Sequence, residues 1–272
     1  MNAAIVVIGL GSGLGSAGNY QTSIPAAGGL AGFFAALVAA LWAYDGWNNV
    51  SMVSSEIRAP QRNLPLALIA GTLAVMVIYL ATNFAYFYVL PAQAVATSDR
   101  VAAEMMRRVM GPTGANLVSV AAMISILAAL NGSILSGSRV PYAMARDGWF
   151  VRAVGYVHPK WATPAVSIVV LSAWSALLVL SGRYEQLFTY VIFASWILYG
   201  MTTAAVIVLR RKRPDLPRPY RTLGYPVVPA VFVVVAAALV YSTLLESPRE
   251  SVMGLLLILC GCPFYLYWKR HK

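Results

Sequence analysis

The residues whose types and spacing best suit chemistry form one run, Leu41-Trp42-Ala43-Tyr44-Asp45-Gly46-Trp47-Asn48-Asn49, set in the middle of an otherwise apolar stretch. Asp, Gly and Asn are poor helix formers, and from Met1 to Ser55 the one charged side chain is Asp45. Backbone broken at membrane depth survives only where protein or a water-filled cavity satisfies its amides and carbonyls. The pattern predicts two half-helices, about Gly28–Trp42 and Val50–Glu56. The C-terminal end of the first would present carbonyls and a negative dipole end, suited to an ammonium or another cation. The N-terminal end of the second would present amide N–H groups, suited to an anion. Together they match a small zwitterion such as a free amino acid. The plainer alternative is a kinked helix in which Asp45 merely N-caps the second half, and capping and binding are compatible.

The elements that must position this run are membrane helices. Of 272 residues, 60% are apolar and 11% charged, against roughly 45–50% and about 25% in soluble domains. The mean hydropathy is +0.71, so the chain reads as an integral membrane protein. That excludes a soluble enzyme, a nucleic-acid-binding domain and a disordered tail. A helix crosses the bilayer core in about 20 residues. Intervals free of charge give seven spans, near 28–55, 64–90, 114–138, 162–181, 186–209, 227–245 and 251–268, preceded by an apolar stub at 1–12 and a loop at 13–27. A basic, proline-containing loop fills 210–226, and residues 227–272 hold the last two helices and a tail. Cys260 and Cys262 fall inside the last span, read as buried thiols with neither a disulfide nor a metal role.

Alternating the connections puts fifteen Lys and Arg on one side and five on the other. The excess marks the cytoplasmic side, which places the C-terminus inside and runs the first full span from outside to inside. The stub Met1–Leu10 would reach only about 15 Å as a helix, half a bilayer, with no basic flank. The expectation is that the chain is the C-terminal part of a longer protein.

Three ordered motifs carry a family resemblance. Trp42-Ala43-Tyr44-Asp45-Gly46-Trp47-Asn48, followed by Glu56, Pro60 and Arg62-Asn63-Leu64-Pro65, resembles the sixth transmembrane helix of amino acid permeases. Ser138-Arg139-Val140-Pro141-Tyr142-Ala143-Met144-Ala145-Arg146-Asp147-Gly148 resembles the loop after helix eight. Arg213-Pro214-Asp215-Leu216-Pro217-Arg218-Pro219-Tyr220, with Gly224-Tyr225-Pro226, resembles the loop before helix eleven. The family is the amino acid–polyamine–organocation superfamily, and its L-type transporter branch is most similar. The resemblance implies an all-α polytopic membrane protein of the LeuT-type inverted-repeat fold. Residues 1–12 would be the remnant of helix five, 28–209 the second five-helix repeat, and 227–272 the two extra helices, with the first repeat largely missing. The absent helices would include the broken first helix with its glycine-rich loop for the substrate carboxylate. The resemblance also implies that backbone carbonyls around Trp42, Ala43 and Asp45 take the substrate ammonium, that Trp42 gates the site, and that Asn48 is a polar residue of the unwound segment; Tyr44 and Gly46 complete the expected substrate-binding set. L-type members often carry glycine where Asp45 stands, so this acid could favour a cationic substrate or take up a proton.

Asn131, Gly132, Ser133 and Ser136 share one span, where polar and small residues either glue helices or line the site. Phe193, Ser195, Trp196 and Tyr199 lie on the span matching helix ten, as gate or packing residues. Tyr267 and Trp268, beside Lys269 and Arg270, read as interface anchors. Gly28 and Gly32 form a small-residue contact motif. An intramembrane aspartyl protease needs two carboxylates sharing a proton, and Asp45 has no second acid at its depth. The run Gly13-Leu14-Gly15-Ser16-Ala17-Gly18 matches a dinucleotide-binding pattern without the strand that must precede it. The function implied is amino acid transport by alternating access, with no enzyme activity and no cofactor. Polyamine or organic-cation transport is the alternative, then a channel or a helix-packing subunit. The partners expected are an amino-acid substrate, the lipid bilayer, and a proton or counter-substrate, with no nucleic acid. Compact loops favour a prokaryotic inner (plasma) membrane.

Overall fold

A computed structural model of the chain describes residues 1–22, 24, 29–181 and 184–270. Gly28, Arg183, His271 and Lys272 lie outside the described residues. Every regular element among those described is helical. The chain divides into two compact units, Met1–Ala26 with Leu64–Ser133, and Ala27–Asn63 with Ile134–Lys272.

The first unit holds α1 (Asn2–Gly11), a 3₁₀ turn (Ala17–Gln21), most of α3 (Pro60–Val89), α4 (Ala92–Ala96) and most of α5 (Val101–Gly137). Its core gathers Ile5, Val89, Leu90, Met105, Met106 and Val118. Gly9 lets α1 approach α5 closely: a Cβ there would lie 2.6 Å from the Met105 methyl, which would have to move. The glycine-rich loop after α1 is a clamp over α3. The Ser16 N–H and the Asn19 side chain both donate to the Tyr88 carbonyl at 2.9 Å, and a side chain at Gly15 would collide with the Tyr88 ring. Its pattern therefore serves packing and not nucleotide phosphate.

α3 begins four residues before the expected span. Pro60 sits in the first turn, where no N–H is needed, and the Ala59 carbonyl accepts from the Arg62 and Asn63 amides. α5 is two helices joined across Gly111 (φ 68°, ψ −160°). Gly111-Pro112 explains why the apolar span reads as starting only near 114: the ten residues before the kink carry Glu104, Arg107 and Arg108.

The second unit holds α2 (Gly29–Trp42), a 3₁₀ helix (Asn49–Glu56), α6 (Arg139–Arg146), a 3₁₀ turn (Arg152–Gly155), α7 (Ala165–Ser181), α8 (Tyr184–Lys212), α9 (Val227–Glu246), α10 (Pro248–Leu259) and α11 (Gly261–Arg270). α8 packs on α9 and α10, and α2 on α9. Small residues set these approaches: Gly200 on α8 faces Ala236 on α9, and Gly254 on α10 faces Phe193. The buried Ser167 hydroxyl of α7 donates to the Ser138 carbonyl at 2.6 Å, tying α7 to the α5–α6 junction.

Among the described residues, five helical stretches are long and apolar enough to cross a membrane: Pro60–Val89, Val101–Arg146, Tyr190–Lys212, Val227–Glu246 and Pro248–Arg270. The other two expected spans take different forms. α7 has 17 residues, about 26 Å at 1.5 Å per residue, and the span expected at 28–55 is the broken pair α2 and 3₁₀ helix. The final span is also interrupted, because Pro263 has no N–H with which to continue the helix beyond Cys260. Cys260 and Cys262 are free and exposed, contrary to the expectation that they are buried: they sit at this interruption, on a surface that packing within the chain leaves open. Near it, Trp268 lies against Phe150, Phe264 and Tyr267, and Trp149 stacks on Tyr265 at 5.2 Å.

Candidate functional site

α2 stops at Trp42 because the residues after it cannot sustain an α-helical ladder. The amides of Ala43, Tyr44, Asp45, Trp47, Asn49 and Ser51 instead pair three residues back, at 2.9–3.3 Å. Gly46 turns the chain at φ +93°, a conformation open to glycine at little cost. The next element is a 3₁₀ helix, itself irregular at Val53, and not a regular α-helical half. The Ser51 hydroxyl bonds the Asn48 carbonyl at 2.6 Å, the local competition with helical pairing expected of serine. Two groups of each polarity stay open. Among the described residues, nothing donates to the carbonyls of Asp45 and Trp47, and nothing accepts from the N–H groups of Gly46 and Asn48. Asp45 is exposed and Asn48 half-buried. The carboxylate of Asp45 caps no amide of the 3₁₀ helix, whose first turn has no side-chain cap.

Tyr199 of α8 meets this break. Its hydroxyl lies 3.4 Å from Asn48 Oδ1 and 3.5 Å from Asp45 Oδ1, so it can donate to either acceptor. These are long contacts, at the outer limit of hydrogen bonding. The Tyr199 ring stands edge-on to Trp47, centroids 6.3 Å apart, and edge-on to Trp196 at 6.0 Å. Trp196 in turn stacks on Phe232 of α9 at 5.8 Å. An aromatic wall thus rises beside exposed backbone dipoles and one carboxylate.

Of the residues expected at the site, Trp42, Ala43, Tyr44, Asp45, Gly46 and Asn48 lie in the break by sequence, and Trp196 reaches it through Tyr199. Phe193 is buried and faces Gly254 of α10. It precedes Tyr199 by six residues, about 240° around a helix of 3.6 residues per turn, and so presents to a different neighbour. Asn131 and Ser133 are exposed on α5 in the other unit.

The sequence does not announce one contact that joins two of its motifs. Arg139 forks onto Glu56, with Nε 3.0 Å from Oε1 and Nη2 3.3 Å from Oε2, while Nη1 donates to the Leu135 carbonyl at 2.6 Å. Planar two-point pairing of this kind is the stronger form of a carboxylate bridge. It ties the far end of the 3₁₀ helix to the start of α6. Among the described residues no group of three His, Cys, Asp or Glu could hold a metal ion.

The amino acid permease profile matches residues 2–262. The chain belongs to the amino acid permease family, within the amino acid–polyamine–organocation superfamily. Among curated relatives, the b(0,+)-type amino acid transporter 1 of Rattus norvegicus is 33% identical over 233 residues, which is 85% of this chain and 47% of that protein. A serine/threonine exchanger of Bacillus subtilis is 32% identical over 243 residues, 88% of this chain and 56% of the relative. The cystine/glutamate transporter of Homo sapiens is 28% identical over 225 residues, 83% and 44%. The chain spans about half the length of the curated relatives it matches. These relatives are transporters or exchangers by name.

Proposed function

We propose that the break at residues 43–48 is one side of an amino-acid site in a carrier that works by alternating access. The observation that carries this reading is the pairing of opposite polarities in one short segment. The open carbonyls of Asp45 and Trp47 suit an ammonium, and the open N–H groups of Gly46 and Asn48 suit a carboxylate. Tyr199, with Trp47 and Trp196, forms a wall for the substrate side chain, and Trp42 is the aromatic gate. Relatives named as an amino acid transporter, a serine/threonine exchanger and a cystine/glutamate transporter support the substrate class, and the exchanger supports a counter-substrate. In this reading residues 28–209 are the second five-helix repeat and 227–272 the two extra helices. The charge bias puts the C-terminus in the cytoplasm of a cell whose plasma membrane holds the protein. The curated relatives are about twice as long as this chain.

A second reading, a preference for cationic amino acids or polyamines, is favoured by one observation: the exposed Asp45 carboxylate beside the open carbonyls. One experiment addresses both. Thermal unfolding of the purified chain is followed with each of the twenty amino acids and with putrescine. A ligand at a hundred times its dissociation constant stabilises a protein by about 2.7 kcal/mol, so binding appears as a raised midpoint. The expected result is stabilisation by a subset of amino acids that Asp45→Asn narrows toward neutral ones. No shift with any amino acid removes the proposal. A shift with putrescine alone, lost in Asp45→Asn, moves it to the second reading.

A further inference from the structure

The C-terminal end of α8 opens into a loop, residues 213–226, and the two line an open surface cleft of about 360 Å³ formed by Arg210, Pro214, Leu216, Pro217, Arg218 and Arg221. That volume lies within the range of about 300–1,000 Å³ for small-ligand sites. The last turn of α8 exposes carbonyls that no amide of the helix can satisfy. Arg218 bonds mainly the loop beyond: Nη1 donates to the Pro214 and Leu216 carbonyls at 2.9 and 2.8 Å, and Nη2 to Arg213 at 2.6 Å, with a longer contact to Leu209 in the last turn at 3.4 Å. This guanidinium ties residues 213–216 together beside the helix end and forms part of the cleft wall. Arg210 is held by a different device, its guanidinium carbon 3.9 Å above the centre of the Tyr225 ring. Arg221, also on the lining, is exposed.

The charges here are unbalanced. Arg210, Arg211, Lys212, Arg213, Arg218 and Arg221 face one acid in the same stretch, Asp215, which is exposed and does not line the cleft. Among the described residues no carboxylate pairs with Arg210 or Arg221. Carbonyl bonds hold Arg218 in place but do not neutralise it. Topology alone asks for basic residues in this loop; it does not ask for two guanidinium groups, Arg210 and Arg218, each held in place beside an open cleft.

We propose that the cleft between Arg210, Arg218 and Arg221 binds a phosphate-bearing anion. Arg210 and Arg221 would contact its oxygens and Arg218 would act as the positioning residue. Guanidinium forks suit planar, two-point recognition of phosphate oxygens. The cleft adjoins the end of a membrane-capable helix, where the phosphate of an acidic lipid headgroup is within reach; free phosphate offers the same chemistry. The proposal is independent of the amino-acid reading, because none of its residues touches the break.

The test uses the purified chain in a neutral detergent, titrated separately with inorganic phosphate, with phosphatidic acid and with phosphatidylcholine of the same acyl chains, binding being read by native mass spectrometry for the lipids and by thermophoresis for phosphate. Phosphatidic acid saturating the chain at concentrations where phosphatidylcholine does not identifies the lipid source; saturation by inorganic phosphate at a similar concentration identifies the free ion. In either case R210Q/R221Q is expected to weaken binding at least tenfold. R218K, which keeps the charge but not the fork, is expected to weaken it several-fold, and R211Q/K212Q, which removes the same charge from outside the cleft, to change it less than twofold. The absence of saturable binding by both anions, or an equal loss in R211Q/K212Q, overturns the site in favour of a diffuse basic surface.

Discussion

At the residue scale, the break at 43–48 rests on side chains that compete with helix and on one backbone angle. Gly46 at φ +93° is the clearest lever. Gly46→Ala places a Cβ in the left-handed region, at a cost of about 1–3 kcal/mol, and 3.3 Å from the Asn49 amide nitrogen. Expected is a lower midpoint in thermal unfolding together with weaker amino-acid binding; a variant as stable and as competent as the parent shows that the turn is dispensable. Tyr199→Phe removes only the hydroxyl that faces Asn48 and Asp45. At about 0.5–1.5 kcal/mol for a net hydrogen bond, binding should weaken roughly 2- to 10-fold, while the Trp47 and Trp196 contacts preserve the fold. Isothermal titration distinguishes this from no change. The run Asp-Gly-Trp-Asn-Asn makes the unwinding legible in sequence, because each residue acts on its own backbone. The approach of Tyr199 is not legible, since it depends on which face α8 turns toward α2's end. The same dependence carries Phe193 away to α10.

At the element scale, the broken helix has one firm end and one soft one. α2 is α-helical to Trp42, whereas the 3₁₀ helix from Asn49 to Glu56 has weaker pairing and an irregular Val53. Its anchor is the Glu56–Arg139 fork. Arg139 is only 12% exposed and Glu56 57%, so the pair should lie near the top of the range of about 0.2–1 kcal/mol for exposed bridges. A double-mutant cycle on Glu56→Gln and Arg139→Gln, read by thermal unfolding, is expected to give a coupling near 1 kcal/mol; additive single effects would mean that the two side chains do not cooperate. Hydrogen exchange should be faster at 43–57 than along α3 beyond Pro65, which stays α-helical to Val89. Most helices could be read from intervals between charges, because a charge at bilayer depth is costly wherever the helix sits. What escaped that reading were the interruptions inside apolar runs: the 3₁₀ character after Asn48, where Ser51, Ser54 and Ser55 offer local partners, and the stop before Pro263. Gly111 hid the first half of α5 for the opposite reason, as its charged residues lie outside the membrane window.

At the scale of the whole molecule, five membrane-capable helices among the described residues and a family match over residues 2–262 mark a polytopic membrane protein, and the charge bias of fifteen basic residues to five proposes its direction. Single cysteines at Arg100 and Arg211, in a background with Cys260 and Cys262 changed to serine, test its direction. A membrane-impermeant maleimide should label position 100 in intact cells and position 211 only after permeabilisation, and the reverse pattern inverts the topology. The central claim is that a segment left unwound at membrane depth holds an amino acid by its main-chain dipoles. Its most direct test is substrate protection at the exposed Ala43. In the same cysteine-free background, the labelling rate of Ala43→Cys is measured with and without millimolar amino acids, and compared with Thr97→Cys on an exposed loop. The account predicts that a subset of amino acids slows labelling several-fold at position 43 and leaves position 97 unchanged. Equal rates at position 43 with every amino acid would contradict it.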